Sequence, residues 1–117
     1  MTGLVGGLVL IASAGCSGEQ LVEEVVLSNP TAYTATIEVT DGADGGALSL
    51  ATVPAGSEVT VQEVIDQGPT WSFRFAYAGH EEGMEISRSQ LESSGWEVVV
   101  PESFATALRD KGVLPPP

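Results

Sequence analysis

Three observations predict a mainly β fold, an antiparallel β-sandwich of immunoglobulin-like size with about seven strands and one short C-terminal helix. From Leu21 onward apolar residues recur at period two in short runs. Clusters of Gly, Pro, Asn and Asp separate those runs, as turns separate half-buried strands. One run carries an aromatic stripe, Trp71, Phe73, Phe75 and Tyr77, on a single face.

The first strand spans Leu21 to Leu27, with Leu21, Val25 and Leu27 expected inward, and Ser28-Asn29-Pro30-Thr31 ends it because proline cannot donate to a ladder. The second, Thr34 to Thr40, alternates cleanly: Ala35, Ile37 and Val39 against Thr36, Glu38 and Thr40. Asp41-Gly42-Ala43-Asp44-Gly45-Gly46 supplies hairpin glycines before a third strand, Ala47 to Val53. The fourth, Glu58 to Val64, follows the turn Pro54 to Ser57 and closes at Asp66-Gln67-Gly68-Pro69. The aromatic fifth strand forms the centre of the core, since each aromatic ring buries ~150–250 Å².

The fifth strand is expected to break into a solvated loop, Gly79-His80-Glu81-Glu82-Gly83, before a short sixth strand, Met84 to Ser87. Ser87 with Gln90, and Ser89 with Glu92, have capping-box spacing, so a helical turn follows and Gly95 stops it. Trp96, Val98 and Val100 are the inward positions of a seventh strand. Pro101 opens the helix, Phe104, Ala105 and Leu108 form its apolar stripe, and Gly112 ends it. The stretch Pro115-Pro116-Pro117 is a polyproline-like tail. A true immunoglobulin domain would show a cysteine pair with a tryptophan between, and this chain has one cysteine.

Composition narrows the functional classes. The 117 residues carry a formal charge of −12, and residues 1–15 contain no charged side chain, so the whole imbalance falls on the remainder. The four basic residues, Arg74, Arg88, Arg109 and Lys111, are scattered, which argues against nucleic acid as a partner, because phosphate binding needs grouped cations. A lone cysteine permits no intramolecular disulfide, so stability must come from packing.

That cysteine closes the opening segment. Leu4 to Ala14 is an apolar run too short to span a bilayer, which takes ~20 residues, and it runs into Ser13-Ala14-Gly15-Cys16-Ser17. The arrangement resembles the lipobox signal of a bacterial lipoprotein precursor. The resemblance implies cleavage between Gly15 and Cys16, a diacylglycerol thioether on the Cys16 thiol, and attachment to the outer face of the cell membrane. Ser13 stands where lipoboxes usually carry leucine, and Met1-Thr2-Gly3 has no basic residue, so the basic n-region is expected upstream of Met1. Residues 1–15 then form the signal, 16–20 the anchor and a short polar linker, 21–113 one domain and 114–117 the tail.

From Val26 onward the chain also resembles small acidic lipoproteins of uncharacterised function from high-GC bacteria. The shared features are the Asn29-Pro30-Thr31 turn, Thr52-Val53-Pro54-Ala55-Gly56, the aromatic strand and Gly95-Trp96-Glu97-Val98-Val99-Val100-Pro101. They are structural in kind, so the resemblance implies no activity.

Two loops offer candidate metal ligands. His80, Glu81, Glu82 and Glu85 mix imidazole with carboxylates, and Asp41 and Asp44 faintly resemble a calcium loop. The first falls short of the three or four protein ligands of a zinc site. The second has Ala43, Gly45 and Thr52 where a calcium loop places oxygen ligands at positions 3, 5 and 12. No Gly-x-Ser-x-Gly elbow accompanies the single histidine, and the aromatic stripe is assigned to the core rather than to a sugar platform.

The sequence therefore leads to a lipid-anchored, non-enzymatic envelope module that interacts with or binds an envelope protein partner and needs no cofactor. An exported domain that senses a divalent metal or small ligand through its acidic loops, and a passive spacer, are the alternatives.

Overall fold

The computed structural model describes residues 20–41 and 47–116. In chain order the elements are β1 (Leu21–Asn29), β2 (Ala35–Thr40), β3 (Leu48–Val53), β4 (Ser57–Ile65), β5 (Thr70–Tyr77), β6 (His80–Ser87), α1 (Arg88–Ser93), β7 (Glu97–Val99) and α2 (Glu102–Asp110). The strands form two sheets, one of three in the order β4-β1-β7 and one of four in the order β3-β2-β5-β6. The fold is the expected seven-stranded β-sandwich with a short C-terminal helix.

Its interior comes from the inward positions of both sheets. Val25, Leu27 and Val98 of the first sheet and Ala35, Ile37, Val39, Trp71, Phe73 and Phe75 of the second are all buried. Trp71 lies beside Phe73, with ring centroids 6.1 Å apart, and its indole N–H donates to the Gly68 carbonyl at 3.1 Å. Such a ring can be buried because its one polar group has a partner.

Pairing is antiparallel for β1–β4, β2–β3, β2–β5 and β5–β6, whereas β1 and β7 run parallel, with Val26 opposite Glu97 and Ser28 opposite Val99. The parallel pair follows from a crossover. β6 belongs to the second sheet, α1 carries the chain to the first, and β7 enters alongside β1 in the same direction. Val26 N–H donates to the Trp96 carbonyl at 2.9 Å and Val100 N–H to the Ser28 carbonyl at 2.9 Å, fixing the register.

Three local expectations are corrected. Leu21 is 56% exposed and Val22 is buried in its place. Val22 pairs with Val64 and Val25 with Val61, so two inward pairs lie three residues apart, where a regular pleat would turn one of them outward. Glu63, with φ 57°, marks where the pleat slips by one residue.

The loop expected at Gly79 to Gly83 is instead strand. Ala78 and Gly79, with φ 51° and 82°, make the two-residue turn, Tyr77 pairs with His80, and β6 runs unbroken through Gly83 to Ser87. Left-handed geometry at both central residues matches the twist of a hairpin, so no longer loop is needed.

Trp96 lies just before β7, with φ 64°, and is partly buried against Trp71 at 5.3 Å. Gly95 is left-handed as well, and the pair turns the chain from α1 into β7.

The ends of the sandwich are tied by polar contacts. Asn29 is fully buried after β1; its amide N–H groups donate to the carbonyls of Tyr33 at 2.7 Å and Val53 at 3.0 Å, and its Oδ1 accepts from Thr31 N at 3.1 Å and Thr31 Oγ1 at 2.7 Å. Ser87 caps α1 as the spacing predicts: its Oγ accepts from Gln90 N at 3.1 Å and Gln90 Oε1 accepts from Ser87 N at 3.1 Å. The stripe Phe104, Ala105 and Leu108 of α2 is buried, with Phe104 at 6.3 Å from Phe75, and Tyr33 Oη donates to the Val113 carbonyl at 2.7 Å.

Candidate functional site

Alternation along β6 separates the residues first considered as one metal cluster. His80 and Glu82 point toward α2, whereas Glu81 and Glu85 stand on the solvent face of the four-stranded sheet. Among the described residues no group of three His, Cys, Asp or Glu side chains stands close enough to hold a metal ion. Asp41 lies at the end of β2, Asp44 lies outside the described residues, and so do Gly15 and Cys16. No described helix is long and apolar enough to cross a membrane.

His80 is half-sheltered between β6 and α2. Its ring lies 5.7 Å from Phe104, and Nδ1 is 2.9 Å from Lys111 Nζ. An ammonium group has only donors, so Nδ1 is the acceptor in a contact with a charged lysine. Nε2 is buried without a hydrogen bond, 3.8 Å from Glu82 Oε1. Ser103 Oγ donates to the other oxygen of Glu82. The order serine to carboxylate to imidazole differs from that of a hydrolytic triad, where the hydroxyl donates to the imidazole. In this geometry Glu82 ties Ser103 of α2 to β6, and His80 with Lys111 makes a second tie.

Two of the depressions on the described surface bear on binding. One lies beside Trp96, where the Arg88 guanidinium stands 5.5 Å over the indole and bonds to Asp66 at 2.9 Å and Glu92 at 2.9 Å. The face of Trp96 is thus already covered by a cation of the same chain.

The other is a trough of about 310 Å³ across the solvent face of the four-stranded sheet. Glu38 and Thr40 of β2, Ser72 and Arg74 of β5, and Gly83 and Glu85 of β6 line it. Register brings them together. Glu38 lies opposite Arg74, which lies opposite Gly83; Thr40 lies opposite Ser72, which lies opposite Glu85.

Arg74 stands 3.8 Å from Glu38 and 3.9 Å from Glu81, and its side chain is 49% exposed. Glu85 forms no ion pair or side-chain hydrogen bond among the described residues. Of these six residues, which share the lining with apolar neighbours, only Glu85 is a candidate site residue in the sequence. Glu38, Thr40, Ser72 and Arg74 are isolated polar positions of two strands whose outward phase in the alternation was the one available signal, and Gly83 was read as part of a loop.

No protein-family model matches the chain, and neither the curated proteins nor the solved structures yield a significant match.

Proposed function

We propose that this protein is a lipid-anchored, non-enzymatic β-sandwich of the cell envelope that acts as an interaction or binding module. The observation that carries the reading is the single cysteine, Cys16, at the end of an apolar run and directly after the small residues Ala14 and Gly15. A thiol in that place can take a diacylglycerol group. One acyl chain binds a bilayer only marginally, at ~0.8 kcal/mol per buried CH₂, whereas two or three hold firmly.

The position of the fold supports this reading. β1 begins at Leu21, a few residues after Cys16, so a domain anchored there would stand close to the lipid surface. Its charge of −12 would keep it off anionic headgroups and soluble at the surface.

Metabolic labelling with palmitate tests the anchor. The full chain should incorporate label and partition into the detergent phase, and Cys16→Ser should abolish both. A Cys16→Ser protein that remains membrane-bound at unchanged size would overturn the reading.

A further inference from the structure

We propose that the trough on the solvent face of β2, β5 and β6 is the docking site for an extended segment of a partner protein that carries lysine or arginine side chains. The inference rests on the reading of this domain as a binding module, and the lipid anchor plays no part in it.

Gly83 leaves room for an approaching backbone. It sits in the middle of β6 without left-handed backbone, and a Cβ built on it would meet its nearest neighbour, the Phe73 carbonyl oxygen, at 3.8 Å, an ordinary contact. Neither backbone geometry nor packing requires glycine there, although glycine within a strand costs ~0.5–1 kcal/mol relative to alanine. What the missing side chain provides is an open floor opposite Arg74. Glycine inside a strand commonly marks the place where another backbone comes close.

The charge of the trough favours a basic occupant. Glu38 and Glu85 line the trough beside a single cation, Arg74, whose contacts with Glu38 and with Glu81 next to the trough, at 3.8 and 3.9 Å, are longer than hydrogen bonds. Glu85 has no ion partner among the described residues. A basic side chain entering the trough therefore meets carboxylates without first breaking a tight ion pair. A second copy of this chain is a poor occupant, because it also carries −12.

The size of the trough suits a short extended segment. Strands spaced ~4.7–4.9 Å apart make the crossing from β2 to β6 ~10 Å, the length of about three extended residues. Ser72 lines that path, and its hydroxyl can bond a backbone that crosses it.

The test uses the ¹⁵N-labelled full chain carrying Cys16→Ser, titrated with a blocked pentapeptide of alternating lysine and threonine. Amide shifts should concentrate at Thr40, Ser72, Gly83 and Glu85. Gly83→Leu, which fills the floor, should weaken binding about tenfold. Glu85→Gln should weaken it several-fold, and Glu97→Gln on the other sheet should leave it unchanged. Ser72→Leu fills the same trough from β5 and serves if Gly83→Leu does not fold. Shifts spread equally over Glu23, Glu58 and Glu97, unchanged affinity in the filled variants, or no saturable binding would each overturn the proposal. Since Cys16 is absent from this experiment, its failure leaves the anchor standing, and failed palmitate labelling leaves the trough standing.

Discussion

At the scale of single residues, the backbone at Glu63 and the side chain of Asn29 do work that their types alone do not announce. A left-handed non-glycine residue costs ~1–2 kcal/mol, so Glu63, at φ 57°, is strained where the pleat slips. In an ordinary strand position Glu→Gly destabilises and Glu→Val is tolerated or favourable. At this position the order should reverse. Glu63→Gly should hold or raise stability by up to about 1 kcal/mol and Glu63→Val should lower it by at least as much, read from urea unfolding midpoints. Asn29 answers five backbone and hydroxyl groups from a fully buried position. Asn29→Ala leaves the Val53 and Tyr33 carbonyls without that donor, and a loss of about 3 kcal/mol in the same assay is expected. If the loss is below 1 kcal/mol, water has replaced the amide.

At the scale of elements, α2 is held to the sandwich by its buried stripe, Phe104, Ala105 and Leu108, and by a set of polar ties. Phe104 contacts both Phe75 and His80, Glu82 accepts from Ser103, and Tyr33 reaches Val113. Arg109 bonds Glu102 across two turns at 2.9 Å, and that carboxylate raises the guanidinium above its ordinary value; both groups are exposed, so the pair contributes little to stability. Phe104→Ala should therefore release α2, with a cost of ~3–5 kcal/mol and amide exchange through 102–110 much faster than in β5. Ser87→Ala removes the cap of α1 and should cost only about 1 kcal/mol, with faster exchange confined to 88–93. Equal effects of the two substitutions would mean that the end of the sandwich unfolds as one unit.

The elements also show what the sequence could and could not convey. Strands with one apolar and one polar face, such as β2 and β5, were legible from alternation alone. β6 was partly hidden, since His80, Glu81, Glu82 and Gly83 read as loop chemistry although an edge strand tolerates charge on its solvent face. Parallel pairing of β7 with β1 was not legible, because alternation describes one strand and says nothing of its neighbour. The trough was invisible for the same reason. Its residues are dispersed from position 38 to 85, and only register places them side by side.

At the scale of the whole molecule, an excess of negative charge lies on a fold with few cations to balance it. All three arginines are paired with carboxylates, Arg74 loosely and Arg88 and Arg109 at 2.9 Å, and Lys111 is turned to His80. Most of the net −12 therefore acts as mutual repulsion across the two sheet faces, which the compact state feels more than the unfolded chain. Salt acts on two opposed contributions. Raising ionic strength from 0.01 to 0.15 M shortens the screening length from ~30 to ~8 Å, which weakens long-range repulsion strongly. The same salt weakens the exposed ion pairs, but each is worth ~0–1 kcal/mol and two of the three arginines make close contacts. Repulsion should dominate. The melting temperature is expected to rise over this range, by a gain on the order of 1 kcal/mol, or about 4–8 °C for a domain of this size. Circular dichroism melts in sodium chloride, with a matched series in a neutral osmolyte to separate screening from exclusion, measure it. A melting temperature that falls with salt would show that the arginine–carboxylate pairs, and not the acidic excess, govern the electrostatics of the folded state.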